Sequence, residues 1–331
     1  MKSTTIAHST GSVATPNGAF DNGSAVLATD AGPIEYAERG AGLPLLTIHG
    51  AGGGFDQGMA NAADLIGDGF RVIAPSRFGY LRTPVPRDAS PAAQADAHAA
   101  LLMELRLPKA VVLGVSTGAR SAVELALRHP EMVAALILVA PALPSPSGPA
   151  VAEPRRRNEL ARNIVDSGLD VAWRAALRFM PSRLVRFIGV PPALLAVLST
   201  EARERVMRSV RNVQPLSQRF IGIQIDESTD LQQVPLQRIT APTLILSARD
   251  DLLDTLSAAE FAARRIRGAR LVAYETGGHL LAGREAQARS AIRGFLAKAR
   301  LIPFLRVICN DRLAVRQPRI GRLAQVSSSE E

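Results

Sequence analysis

The sequence predicts an α/β fold in which a sheet of eight strands is flanked by helices. Short apolar segments with the length and β-branched content of buried strands recur along the chain and mostly alternate with helical patterns. The alternation is interrupted once, between residues 144 and 238, where several helices broken by prolines take its place. Because alternating strands and helices are typical of an α/β domain, we interpret the interruption as a helical insertion into one.

Eight segments carry the strand pattern. The first two, Ser24–Thr29 and Ile34–Glu38, are joined by the turn Asp30–Pro33, which contains glycine and proline. The third, Leu45–Ile48, is apolar apart from Thr47 and leads into a glycine-rich stretch. The remaining predicted strands are Arg71–Pro75, Ala110–Leu113, Ala134–Ala140, Ala241–Ser247 and Arg270–Tyr274.

Helical patterns fill most of the intervals between these strands. One begins at Ser90 and Pro91, a capping serine followed by a proline in the first turn, and extends to Leu105. Another follows Gly118, with an apolar stripe, and ends at His129 before a proline. The other predicted helices of the α/β part are Phe55–Asp68, Ser257–Ile266 and Glu285–Ala299.

Composition excludes several classes of protein. The 331 residues are 47% hydrophobic, enough for a sizeable core, and the net charge is +9. The arginines that carry this charge are scattered and only 4% of residues are aromatic, so we expect no nucleic-acid partner. Cys309 is the only cysteine, which excludes an intramolecular disulfide and gives no cysteine metal cluster.

The ends of the chain carry no targeting signal that we recognise. The N-terminal segment has no apolar stretch of the secretory type, and no run reaches the roughly 18 apolar residues of a membrane span. Residues 1–22 are therefore predicted to be a disordered leader, and we expect a cytoplasmic protein. Residues 301–331 form a basic tail to which the sequence assigns no role.

The most informative stretch joins the strand Ala110–Leu113 to the helix that follows it. Ser116 lies there between Gly114 and Gly118, on the turn from strand to helix. This is the pattern of a nucleophile elbow, in which a tight turn exposes the serine oxygen and glycines avoid clashes with neighbouring backbone. The helix that begins beside Ser116 would also direct its N–H groups at a developing anion. The alternative is an ordinary serine at a helix N-cap.

The elbow resembles that of the α/β-hydrolase superfamily. The resemblance covers residues 24–299 and implies a mostly parallel eight-stranded sheet with a helical cap inserted over the active site. It implies a core of residues 23–143 and 239–300 and a cap of residues 144–238, the cap being matched by position only. It also makes Ser116 a nucleophile that an acid and a histidine, both downstream, would activate.

The acid is expected after the seventh predicted strand. Superfamily members carry Gly-x-x-Asp-x-x-x-Pro there, and matching it to this chain makes Asp250 the triad acid. Ser247 then replaces the glycine and Asp254 replaces the proline, and the adjacent Asp251 is the second choice.

The histidine is expected after the last strand, where the chain reads Gly277-Gly278-His279. Elimination supports His279, because it alone among the five histidines follows both Ser116 and Asp250. The alternative is a capping or surface histidine.

The glycine-rich stretch after Leu45–Ile48 resembles the oxyanion loop of the superfamily. It begins His49-Gly50-Ala51-Gly52, and the resemblance makes the Ala51 N–H, or that of Gly52, a partner of the Thr117 N–H in an oxyanion hole. A plain glycine turn is the alternative. His49 precedes Ser116 and is interpreted as a structural residue.

Substrate contacts are assigned to Gly52, Tyr80 and two phenylalanines of the cap, Phe179 and Phe187. The cap segment Phe179–Leu198 is rich in residues that could line an apolar acyl pocket, and packing of the cap onto the core is the alternative. Membrane-surface docking by this segment is not favoured, because a proline pair interrupts it.

These features predict a serine hydrolase that cleaves a carboxylic ester or related acyl bond of a small apolar substrate through an acyl-enzyme, with no metal or organic cofactor. The alternatives are a C–C bond hydrolase of ring-cleavage products, a cofactor-free haloperoxidase and a non-catalytic ligand receptor on the same fold. The sequence leaves the oligomeric state open.

Overall fold

The computed structural model describes residues 23–144, 169–229 and 234–302. These residues form an eight-stranded sheet with helices on both faces, and the predicted α/β fold is confirmed. The strands are β1 Ala25–Thr29, β2 Gly32–Arg39, β3 Leu43–Ile48, β4 Phe70–Pro75, β5 Ala110–Val115, β6 Val133–Val139, β7 Thr243–Ala248 and β8 Arg270–Tyr274.

The strands lie in the order β1-β2-β4-β3-β5-β6-β7-β8. Strand β2 is antiparallel to both of its neighbours, β1 and β4, and every other pairing is parallel. The central pair β3 and β5 is in register at Leu45 with Val111 and at Leu46 with Val112. Because β3 to β8 run in one direction, the loops that follow them open at the same edge of the sheet, where ligands of such sheets bind.

Ten α-helices are present among the described residues. Five of them flank the sheet, and the other five lie between residues 169 and 229. They are α1 Phe55–Leu65, α2 Pro91–Glu104, α3 Gly118–Arg128, α4 Leu169–Phe179, α5 Pro181–Leu184, α6 Leu194–Val197, α7 Thr200–Arg211, α8 Phe220–Ser228, α9 Thr255–Arg265 and α10 Glu285–Lys298.

The predicted helix boundaries are close to those observed. Helix α2 starts as expected, with the Ser90 hydroxyl accepting the Ala93 N–H at 3.2 Å. Helix α1 ends at Leu65 rather than Asp68, because Gly67 follows in the left-handed region at φ 79°.

The core has two layers, one on each face of the sheet. One face packs the small and aliphatic residues of α2, α3 and α9 against the strands. The other face packs α1 and α10 against them. The strands between these layers are buried on both faces, which is why β5 reads as an unbroken apolar run.

The described part of the predicted cap comprises residues 144, 169–229 and 234–238. We call residues 169–229 and 234–238 the insertion, and its regular elements are all helical. It has a small apolar cluster of its own, which Ala282 of the core joins. The predicted leader, residues 145–168, residues 230–233 and the predicted tail from residue 303 lie outside the described residues. In the described part of the chain, no helix combines the length and the apolarity needed to cross a bilayer.

Candidate active site

Ser116 lies at the end of β5 in a backbone conformation that non-glycine residues rarely adopt. Its φ is 52°, which stores strain that the surrounding structure must hold in place. The Ser116 N–H donates to the Val139 carbonyl at 2.9 Å, and the Ser116 carbonyl accepts from Ala142 at 3.0 Å. This sharp turn between β5 and α3 is the geometry expected of a nucleophile elbow.

The two glycines beside Ser116 are required by close packing. A Cβ on Gly114 would lie 2.7 Å from the Cβ of Ala122, at the place where β5 and α3 cross. A Cβ on Gly118 would collide with the carbonyl oxygens of Ile48 and His49 at the end of β3. The elbow therefore fits tightly against the neighbouring strand and helix.

His279 is paired with a carboxylate, and the carboxylate belongs to Asp251. The His279 Nδ1 lies 2.8 Å from Asp251 Oδ2, and both side chains are buried. The same carboxylate accepts the Thr255 hydroxyl at 2.5 Å and the Leu253 N–H at 2.9 Å. Burial works against ionisation of Asp251, but His279 and these hydrogen bonds outweigh it and hold its pKa below the ordinary value.

The prediction that Asp250 pairs with the histidine is therefore wrong by one residue. Asp250 instead accepts the Gly278 N–H at 2.7 Å and the Gly277 N–H at 3.2 Å, so it fixes the backbone of the loop that carries His279. The physical reason lies in the turn after β7. Asp254 stands where the superfamily pattern has a proline, and its φ of 50° is one that a proline cannot adopt, so the turn departs from the pattern on which the choice of Asp250 depends.

The loop after β3 passes directly against Ser116. A Cβ on Gly50 would lie 2.9 Å from the Cβ of Ser116. The Gly52 N–H, one of the two candidates for the oxyanion hole, points instead to the Tyr80 hydroxyl at 3.4 Å. In the described part of the chain, no acceptor takes the N–H of Ala51 or of Thr117. Those two amides are free for a ligand.

His49 has both ring nitrogens engaged and is structural, as expected. Its Nδ1 lies 2.7 Å from the Gly50 carbonyl, and its Nε2 accepts the Arg77 N–H at 2.9 Å. Burial and the nearby Arg77 charge hold the pKa of His49 well below its ordinary value, so the ring is neutral.

A buried polar cluster that the sequence analysis did not find lies behind the elbow. We call Arg77, Tyr80, Thr117, Arg120 and Asp226 the Asp226 cluster. Arg77 donates two hydrogen bonds to the Asp226 carboxylate, both at 2.6 Å. The Tyr80 hydroxyl donates to Asp226 at 2.6 Å and the Thr117 hydroxyl at 3.0 Å. Arg120 donates to the Asp226 backbone carbonyl at 2.8 Å.

The cluster is charged, because Asp226 is ionised. Burial opposes the ionisation, but the charge and hydrogen bonds of Arg77 lower the pKa of Asp226 to about 2. Burial and the Asp226 charge raise the pKa of Tyr80 well above its ordinary value, so its hydroxyl stays protonated and donates. The sequence carries no signal that singles out Asp226, since it is followed directly by a second carboxylate, Glu227, after the mostly apolar segment 220–225.

Three of the predicted substrate contacts are not supported. Tyr80 is fully buried and held by Asp226, so it does not face a pocket. Phe179 is 76% exposed and Phe187 is 66% exposed, so neither ring is buried against an apolar pocket formed by the described residues. Phe187 instead makes an edge contact with Trp173 of α4, at 6.1 Å between ring centroids. Both phenylalanines are therefore exposed and lie outside the insertion's apolar cluster.

The insertion contacts the backbone of the histidine loop. The Gly189 carbonyl accepts the N–H of His279 at 3.1 Å and that of Leu252 at 3.1 Å. On the other side of this contact, a Cβ on Gly278 would lie 3.0 Å from Val190 and Pro191. The insertion therefore helps to position the loops that carry His279 and Asp251.

Within residues 23–144, 169–229 and 234–302, no three His, Cys, Asp or Glu side chains are grouped as metal ligands would be. What the edge of the sheet presents is a serine at a strained turn, a buried histidine–carboxylate pair and two unengaged amides. A profile of the α/β hydrolase fold matches residues 44–283, a range that contains all of these groups. The chain belongs to the α/β hydrolase fold family.

Similar proteins of this family support a hydrolase. The uncharacterized hydrolase YcgS of Bacillus subtilis (strain 168) is 29% identical over 274 residues, which cover 81% of this chain and 96% of YcgS. The putative carbamate hydrolase RutD of Serratia proteamaculans (strain 568) is 28% identical over 236 residues, or 70% of this chain and 81% of RutD. A thermophilic esterase from Thermogutta terrifontis is 25% identical with a TM-score of 0.60, and the match covers 83% of this chain and 98% of the esterase.

Proposed function

We propose that this α/β hydrolase is a serine esterase that cleaves a small carboxylic ester through an acyl-enzyme. The observation that carries the proposal is the buried pair of His279 and Asp251, at 2.8 Å, on the same edge of the sheet as the strained Ser116. A neutral histidine whose Nδ1–H is held by a carboxylate presents its Nε2 as a base. The similarity to the Thermogutta esterase supports the ester as the bond cleaved.

In the proposed reaction, the Ser116 oxygen attacks the carbonyl carbon while His279 Nε2 takes the hydroxyl proton. The tetrahedral intermediate carries its negative charge on the former carbonyl oxygen, where the N–H groups of Ala51 and Thr117 stabilise it. Removal of one such donor typically costs a factor of about 100 to 1,000 in kcat. His279 then gives the proton to the departing alcohol, and Asp251 stabilises the imidazolium that exists in between.

The second half of the reaction releases the acid. A water molecule attacks the acyl-enzyme carbonyl, and its proton passes to His279 Nε2. The second tetrahedral intermediate collapses, the proton moves to the Ser116 oxygen, and the carboxylic acid leaves. The alcohol and the acid are the products, and the enzyme returns to its initial state.

The first test is covalent labelling with a fluorophosphonate together with turnover of p-nitrophenyl esters with acyl chains from two to sixteen carbons. We expect labelling and turnover in the wild type and neither in Ser116→Ala. Ser121→Ala is the matched control, because Ser121 is a second buried serine with a histidine in contact, His98 Nε2 at 3.3 Å. Retained turnover in Ser116→Ala would refute the proposal.

The same panel separates the alternatives. Labelling without turnover of any ester would favour a ligand receptor on the same fold. Turnover of an aryl carbamate, but not of the ester with the same leaving group, would favour the chemistry named for the relative RutD. Cleavage of a vinylogous 1,5-diketone alone would favour a C–C bond hydrolase.

A further inference from the structure

One buried carboxylate of the insertion, that of Asp226, is hydrogen-bonded to several side chains of the α/β core. Asp226 is on α8, and its side-chain partners, Arg77, Tyr80 and Thr117, all belong to the core. Helix α8 is also fixed by a backbone hydrogen bond, from the Gly222 N–H to the Gly79 carbonyl at 2.9 Å. The Tyr80 ring occupies the space where a side chain at Gly222 would lie. Asp226 is therefore held in a defined position relative to the core.

Each side-chain partner of Asp226 is hydrogen-bonded to, or is itself part of, a segment that carries a proposed oxyanion donor. Thr117 supplies one of the two amides, and its hydroxyl donates to Asp226 at 3.0 Å. The Tyr80 hydroxyl contacts Asp226 and also accepts the N–H of Gly52, the neighbour of Ala51. Arg77 donates to the Thr117 hydroxyl at 2.9 Å and, through Nε, to the His49 carbonyl at 3.0 Å.

The net charge of the Asp226 cluster also favours an anion bound to the N–H groups of Ala51 and Thr117. Two guanidinium groups, Arg77 and Arg120, surround one carboxylate, so the buried cluster has a net positive charge close to the N-terminus of α3. A positive charge and a helix N-terminus both favour negative charge nearby.

We propose that Asp226 is a positioning residue for the reaction, which holds Thr117 and the loop 49–52 so that the N–H groups of Thr117 and Ala51 converge on the oxyanion. The insertion then determines the rate of the chemical step through α8. The proposal rests on the serine-esterase function above. Since an oxyanion forms only in the transition state and the intermediates, the loss of Asp226 should lower kcat and leave KM nearly unchanged.

The main variant is Asp226→Asn, which keeps the shape of the side chain and removes its charge. We expect kcat for a short p-nitrophenyl ester to fall about 10- to 100-fold, with KM within about threefold of the wild type. Tyr80→Phe is the second variant, in case Asp226→Asn does not fold. It removes only the hydroxyl between Asp226 and Gly52, and we expect a fall in kcat of about tenfold.

Asp64→Asn is the matched control. Asp64 accepts Arg205 Nε at 2.6 Å, so it forms another ion pair between the insertion and the core. Arg205 keeps Glu285 as a partner at 3.0 Å when Asp64 is changed. No hydrogen bond in the described structure joins the Asp64 side chain to Thr117 or the loop 49–52. We therefore expect kcat and KM of Asp64→Asn within about threefold of the wild type.

Hydrogen exchange of the hydrogen-bonded amides of this loop, those of Gly50, Gly52 and Gly53, is measured on the same four proteins and does not depend on catalysis. We expect exchange at these amides to be at least about tenfold faster in Asp226→Asn and unchanged in Asp64→Asn. If wild-type protein neither hydrolyses esters nor labels at Ser116, the proposed function fails and the exchange data alone decide the positioning role. Unchanged kcat in folded Asp226→Asn, or unchanged exchange at these amides, would overturn the inference.

Discussion

The structure pairs His279 with Asp251 rather than with the adjacent Asp250, and this assignment gives a specific prediction. Asp251→Asn should reduce kcat drastically, whereas Asp250→Asn should reduce it little. The asparagine at 251 can present its NH₂ to His279 Nδ1, which places the ring proton on Nε2 and removes the base. It also removes the negative charge that stabilises the imidazolium.

The magnitude follows from the geometry. His279 Nδ1 and Asp251 Oδ2 are 2.8 Å apart, and the two side chains are 7% and 1% exposed. Two unit charges centred about 4 Å apart, at an effective dielectric constant of about 20, attract by about 4 kcal/mol. Since about 1.4 kcal/mol corresponds to a factor of ten in rate, this loss alone lowers kcat about a thousandfold. Because the variant also holds the His279 ring in the wrong tautomer, we expect kcat to fall by about 10³- to 10⁴-fold.

Asp250→Asn is the matched control in the same turn. Its carboxylate accepts the Gly277 and Gly278 amides, and the asparagine oxygen can still accept one of them. Loss of one charge-assisted hydrogen bond costs about 1–3 kcal/mol of stability, and we expect kcat within about tenfold of the wild type.

The assay is steady-state hydrolysis of a short p-nitrophenyl ester, with circular dichroism to verify folding of both variants. If Asp250→Asn lost about 10⁴-fold and Asp251→Asn remained nearly as active as the wild type, the assignment of the acid from this structure would be refuted.

Three further predictions concern glycines and acid stability. Gly189→Ala places a Cβ 2.5 Å from the Cβ of His279 and should lower kcat at least about tenfold. Gly268→Ala is the control, because Gly268 has a similar φ of 75° but no atom within 4 Å of the added Cβ, so this variant should lose stability and keep its kcat. Gly118→Ala should lower the free energy of unfolding, measured in urea, by about 1–3 kcal/mol, because the added Cβ clashes with the carbonyl oxygens of Ile48 and His49. Gly294→Ala, inside α10 with open space around the added Cβ, should raise the free energy of unfolding by about 0.5–1 kcal/mol. The pKa of Asp226, about 2 in the folded protein against 3.8 ordinarily, adds on the order of 2 kcal/mol of stability that is present above about pH 4 and lost as the pH falls towards 2. The urea midpoint of Asp226→Asn should therefore fall less than that of the wild type between about pH 5 and about pH 3, and parallel declines would contradict the lowered pKa.

The sequence was sufficient for the features that depend on local pattern. The eight strands were predicted because buried parallel strands are short, apolar and β-branched, and the elbow because a serine between Gly114 and Gly118 follows such a strand. Matching the superfamily pattern made Asp250 the acid and Asp251 the second choice, and this choice was wrong because adjacent aspartates in one turn look alike in sequence.

Only the tertiary structure decided which groups meet across long separations in the chain. Asp226 reaches Arg77, 149 positions away, and Gly189 reaches the backbone of His279, because folding places α8 and the turn after α5 against loops at the edge of the sheet. Likewise, Phe179 and Phe187 are exposed and lie outside the insertion's own apolar cluster. Sequence periodicity shows which face of its own helix a residue occupies. The choice of acid, the hydrogen bonds of the Asp226 cluster and the exposure of the two phenylalanines depend instead on how the elements are arranged in space.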